Sequence, residues 1–187
     1  MSTRQPNILF LFSDEHSFRY MGYVGRADGG EPAFTPNFDR LADRGTVFTD
    51  AYCQMPLCTP SRLCALTGRE VRECGAWGNR AVLREGLTTI PETLGNAGYE
   101  TCLVGKMHLG GTRQFAGFGH RPYGDLTGMT GHQWEPLREE GGRSVRSRTE
   151  DVGITEVPES MMQEQAVAQE SLGFLREHAH RNPDQPW

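Results

Sequence analysis

The sequence predicts an α/β fold with a largely parallel central sheet flanked by helices. Three observations predict it. Apolar, strand-like runs alternate with helix-forming stretches. Those stretches carry start and stop signals. Chemistry-bearing residues follow two of the strand-like runs, where ligands bind in such sheets. The 187-residue chain carries 19 Lys plus Arg against 24 Asp plus Glu, a net charge of -5. That balance argues against a nucleic-acid partner. The longest apolar run, residues 8–12, falls far short of the ~20 residues that span a bilayer, which argues against a membrane partner. With 23 Gly and 11 Pro the chain is loop-rich, while a hydrophobic share of 36% supports a packed core.

The elements follow in order. Residues 7–13 (NILFLFS) form an apolar run ending in polar residues, the pattern of a strand buried on both faces. Thr35 and Pro36 read as cap and first position of a helix, with Phe38, Leu41 and Ala42 on one face and Gly45 as its stop. A second strand is expected over 47–52, and a helix over 60–67 stopped by Gly68. The third unit is a helix over 91–97 stopped by Gly98, then a strand over 99–104 leading into Gly105. Residues 110–157 are Gly-rich with little periodicity, and read as a long loop or excursion. A helical pattern returns over 158–181, with Met162, Ala166, Gln169 and Gly173 on one side and Ala168, Leu172, Leu175 and Ala179 on another. The Asn182–Pro186 stretch breaks it.

The opening seven residues lack the charged segment, apolar core and cleavage site of a secretory leader, which predicts a cytoplasmic location. Five cysteines without paired spacing argue against a disulfide framework, and the absence of Cys-x-x-Cys argues against structural zinc.

Three motifs carry the chemistry. Cys58-Thr59-Pro60-Ser61-Arg62 is followed by Thr67-Gly68-Arg69. A chance Cys-x-Pro-x-Arg in a chain of this length is expected at roughly one per cent. Cys58 is placed just before a Pro-started helix, where free backbone N–H groups and the helix dipole favour a developing anion. Arg62, one turn along, is placed to hold an anionic oxygen. Asp14 follows the first strand-like run and is followed by Glu15. Gly105-Lys106-Met107-His108-Leu109-Gly110 follows the last strand, and residues two apart on a strand face the same way.

Together these motifs resemble the sulfatase family of the alkaline phosphatase superfamily, continuously over residues 7 to about 125 and more loosely beyond. The resemblance implies an alkaline-phosphatase-like fold, with residues 1–187 as the N-terminal part of a catalytic domain. It implies hydrolysis of a small sulfate ester by formylglycine made from Cys58, and hence a formylglycine-generating or maturase enzyme as partner. One hydroxyl of the hydrated aldehyde would attack sulfur, and the other would later expel sulfate. Arg62, Lys106 and His108 would be catalytic, with Lys106 on the sulfate and nucleophile oxygens. Asp14 and the Cys58-derived formylglycine would bind the metal, with Glu15 a further candidate where many relatives have a second aspartate. The ion would be calcium, or else magnesium or manganese. Asn79 lies where phosphonate monoester hydrolases of the superfamily bring an Asn to the substrate.

Competing readings are a phosphonate monoester or phosphodiester hydrolase of the same superfamily, and an inactive fragment lacking half of the metal site. A Cys-x5-Arg from Cys74 to Arg80 also fits the minimal cysteine-phosphatase pattern. No strand-like run leads into it. His16 after the metal motif is either a surface histidine or a substrate contact.

Overall fold

The computed structural model describes residues 5–25, 28–124 and 158–187, which form two compact units. One comprises Met1–Ile8 with Gln54–Trp187, the other Leu9–Cys53. Among the described residues no helix is long and apolar enough to cross a membrane.

The smaller unit carries helix α1 (Pro36–Arg44), with Pro36 at its start and Gly45 at its end, as expected. Thr35 does not cap it. Its hydroxyl instead accepts from Gly22 N at 2.8 Å and donates to Asp39 Oδ1 at 2.9 Å, tying α1 to the turn after a 3-10 segment at Phe18–Tyr20. Neither 7–13 nor 47–52 forms a strand. A strand needs a ladder partner. In the larger unit Ile8 N does donate to Trp187 O, but Leu9 to Phe12 stay largely exposed, as do Phe48 and Tyr52.

The larger unit holds α2 (Cys58–Thr67), α3 (Val71–Cys74), α4 (Ile90–Asn96), β1 (Cys102–Val104), β2 (His120–Tyr123) and α5 (Gln163–Arg181). β1 and β2 pair in parallel, with Cys102 opposite His120 and Val104 opposite Tyr123. β2 lies inside the expected loop 110–157, of which residues 125–157 fall outside the described residues. Helix α4 starts with a reciprocal cap: Thr89 Oγ1 accepts from Glu92 N while Glu92 Oε2 accepts from Thr89 N. Arg113 then bonds Glu92, Arg84 O and Leu87 O, fastening the chain between β1 and β2. The core gathers Leu63, Leu66, Val71, Leu83, Leu103, Met107 and Leu109 under α2 and α3.

Helix α5 buries neither of its two expected faces. His178 is its buried residue, and Gln163, Gln165, Ala166, Val167, Ser171, Phe174 and Leu175 are half-buried, whereas Ala168, Gln169, Leu172, Gly173 and Ala179 are exposed. Polar His178 belongs to this stripe because its ring is matched on both sides. Nδ1 lies 2.5 Å from Glu100 Oε2, and Nε2 lies 2.9 Å from Gln185 O. Glu100 also receives Asn182 at 3.1 Å and meets His120 at 3.0 Å.

Burial pushes the Glu100 carboxyl up, but the bonds from Asn182 and His178 and the attraction of His178 and His120 outweigh it. The group ends below its ordinary value. A carboxyl depressed in the folded state stabilises above its unfolded pKa and loses that contribution as pH falls through the folded value. Glu100→Gln is therefore expected to lower the urea midpoint of the full-length protein at pH 7. The gap to wild type should close on acidification below about pH 4. Equal midpoints at pH 7 would show that Glu100 does not clamp α5.

Candidate active site

Helix α2 begins at Cys58 itself, two residues earlier than its proline suggests, with extended Leu57 as the flanking residue. Pro60 is thus the third helical residue, still within the first turn where its missing N–H costs nothing. Gly68 closes the helix in the left-handed conformation at φ 65°, its N–H donating to Cys64 O. Cys58 is half-buried, while Thr59, Pro60, Arg62 and Leu63 behind it are buried.

The helix N-terminus is not the open donor array that the sequence suggests. Asn79 Oδ1 takes the N–H of Thr59 at 3.1 Å, and Pro60 has none to give. Asn79 therefore caps α2 from 20 residues away. This bond uses the Oδ1 acceptor of the side chain and does not involve its Nδ2 donors. The Cys-x5-Arg alternative finds no loop either. Cys74 is the buried last residue of α3, its Sγ 3.2 Å from Thr67 Oγ1, while Arg80 is exposed.

After β1 the chain turns at Gly105, with φ 95°. Strand alternation ends there, so the expected sharing of one rim by Lys106 and His108 does not come from a strand. It comes from anchoring. Met107 and Leu109 are core residues, and burying such a side chain contributes about 1.5–3 kcal/mol. The carbonyls of the residues just before each of them are held by α2. Arg62 Nη1 donates to Lys106 O at 2.9 Å, and Thr59 Oγ1 donates to His108 O at 2.9 Å. Lys106 is half-buried and His108 is 8% exposed. His108 adopts φ 53°, a left-handed conformation that costs a non-glycine residue about 1–2 kcal/mol.

The larger unit therefore brings Cys58, Arg62, Asn79, Lys106 and His108 together from three segments tied by hydrogen bonds. Asp14, Glu15 and His16 belong to the smaller unit, where all three are exposed, Glu15 at φ 55°. Among the described residues no three His, Cys, Asp or Glu side chains gather as a metal cage. Burial and the Glu100 charge push the Cys102 thiol up to about 12, so this cysteine near the site stays protonated and is no rival nucleophile. Sequence reasoning missed Thr59. Its place beside the nucleophile was visible, but nothing in the local pattern shows that its hydroxyl reaches residue 108.

Parallel strands with flanking helices match the alkaline-phosphatase-like fold of the structural neighbours. The family model for Sulfatase matches residues 6–187, and the chain belongs to the sulfatase family. N-acetylglucosamine-6-O-sulfatase of Bacteroides thetaiotaomicron is 35% identical over 145 residues, covering 76% of this chain and 25% of that protein. Human arylsulfatase A is 40% identical over 113 residues, covering 57% of this chain and 22% of that protein. A solved structure of a protein with its substrate, D-glucosamine-2-N,6-O-disulfate, is 38% identical with a TM-score of 0.55, covering 62% of this chain and 22% of that one. The chain thus spans about a quarter of the length of the curated relatives it matches.

Gly105→Ala is expected to destabilise the protein by about 1–3 kcal/mol, because φ 95° is closed to a side chain and the new Cβ would lie 3.1 Å from Val167 Cγ2. The denaturant midpoint of the full-length variant checks this. An unchanged midpoint would show that the turn relaxes freely.

Proposed function

We propose that this chain forms part of the catalytic domain of a sulfatase that hydrolyses a sulfate ester through formylglycine made from Cys58. The observation that carries the reading is the placement of Cys58 at the first position of α2, whose first turn holds the backbone of Lys106 and His108. As formylglycine, residue 58 supplies a hydrated aldehyde whose one hydroxyl displaces the alcohol at sulfur and whose other expels sulfate. A maturase partner is needed to install it.

The chain's own residues then divide the work. Lys106 meets the negative charge on sulfate oxygens as the ester bond breaks. Arg62 lies one turn from residue 58 and adds fixed positive charge while its Nη1 keeps the Lys106 segment in place. His108 contacts the nucleophile or the ester oxygen and moves a proton there. A bound divalent ion would polarise the nucleophile's oxygens. Asp14 offers the carboxylate oxygen that a hard cation takes, and Glu15 is the weaker candidate beside it. Calcium takes about six to eight such oxygens, so further donors must join Asp14 in the complete site. The names of the relatives favour a sugar 6-O-sulfate as the first substrate to try.

Peptide mass spectrometry across Cys58, after coexpression of the full-length protein with a formylglycine-generating enzyme, is expected to show the aldehyde. Cys58→Ala should then abolish turnover of an aryl or sugar sulfate. An unconverted thiol together with full activity in Cys58→Ala would sink the mechanism. Lys106→Ala is expected to slow kcat by about 100-fold or more, the usual loss when a single group stabilising transition-state charge is removed. Chelation should stop turnover and added calcium restore it; turnover indifferent to chelator would strike Asp14 from the site.

A further inference from the structure

We propose that Thr59 is a positioning residue for this reaction, its hydroxyl setting where His108 stands relative to residue 58. The inference rests on the sulfatase reading above, and concerns a residue to which that reading gives no role. Thr59 has no exposed surface. Its hydroxyl has one hydrogen to donate, and the nearer acceptor is His108 O at 2.9 Å, with Asn79 O at 3.3 Å. Its N–H is taken by Asn79 Oδ1. The residue is therefore held on one side by Asn79 while it holds His108 on the other.

What it holds is under strain. His108 sits at φ 53°, a region that side-chain-bearing residues seldom occupy, and such a conformation persists only where the surroundings fix it. The Thr59 hydroxyl bonds the carbonyl of that same residue. Arg62, three residues on and on the same face of α2, does the equivalent for Lys106 O. One helical turn thus carries the nucleophile at its start and fixes two candidate catalytic residues through their backbones. Without the hydroxyl, the His108 carbonyl loses this donor and the local backbone can relax, moving the imidazole. A displacement of about 1 Å at a reacting group can cost on the order of 100-fold in rate. Ground-state binding through sulfate oxygens would be little affected.

The test uses full-length wild type, Thr59→Ser, Thr59→Ala and Thr59→Val, each normalised to its formylglycine content by mass spectrometry, with 4-nitrophenyl sulfate as substrate. The Ser and Ala variants differ only in the hydroxyl, so they decide the matter even where the Val variant fails to fold. Thr59→Ala and Thr59→Val are expected to lose about 10- to 100-fold in kcat with KM within about threefold, and Thr59→Ser to stay near wild type. Equal kcat in the Ser and Ala variants would overturn the proposal. So would a loss confined to KM. A Cys58→Ala control that retains turnover would overturn the sulfatase reading itself, an outcome distinct from the Ser and Ala comparison.

Discussion

The candidate site depends on one construction: the first turn of α2 tied to the loop after β1. Arg62 is 3% exposed and donates to Lys106 O, and Thr59 has no exposed surface and donates to His108 O. Sequence separation is large, 44 residues for the first bond and 49 for the second. Such contacts are made only after a long loop has closed, so they form when the core does. Leu63, Leu66, Met107 and Leu109 belong to that core, and they lie on the same two segments as the polar residues. Apolar burial supplies the driving force, and the hydrogen bonds decide the register.

This arrangement explains why the first turn of α2 is so fully bonded. A helix N-terminus attracts anions through free N–H groups and its dipole. Here Asn79 has taken one of those groups and Pro60 removes another. In the sulfatase reading proposed above, the charge at sulfur would be met by the side-chain cations Arg62 and Lys106 rather than by these backbone groups. Their charges reach farther than a single N–H and are screened less where water is kept out. The Arg62 guanidinium carries five donors, one of which Nη1 gives to Lys106 O.

The helices were legible in the sequence because their signals are local. Pro36 and Gly45 bound α1, Gly68 ends α2, and Pro91 opens the first turn of α4. The motif residues 58, 62, 106 and 108 stand out in the sequence by type and spacing, and hydrogen bonds tie their two segments together. Strands were read less well. Residues 7–13 and 47–52 have strand composition, yet a strand exists only where a second one meets it. The packed face of α5 was misread for a related reason. Apolar periodicity ranked Leu172 and Ala179 above His178, but Glu100, far away in sequence, makes the histidine the better buried residue.

Asn79 shows how a side chain's position differs from its employment. The family resemblance implies a contact with substrate, and the structure brings it to the helix that starts at Cys58. There its Oδ1 accepts from Thr59 N and caps α2. The same holds for Thr59, which touches no reacting atom yet joins the helix to His108. In the proposed site the residues assigned to the chemistry were marked by their type and spacing. Those that would place them are marked only by contacts across the fold, where a hydroxyl or an amide of ordinary appearance meets a backbone group.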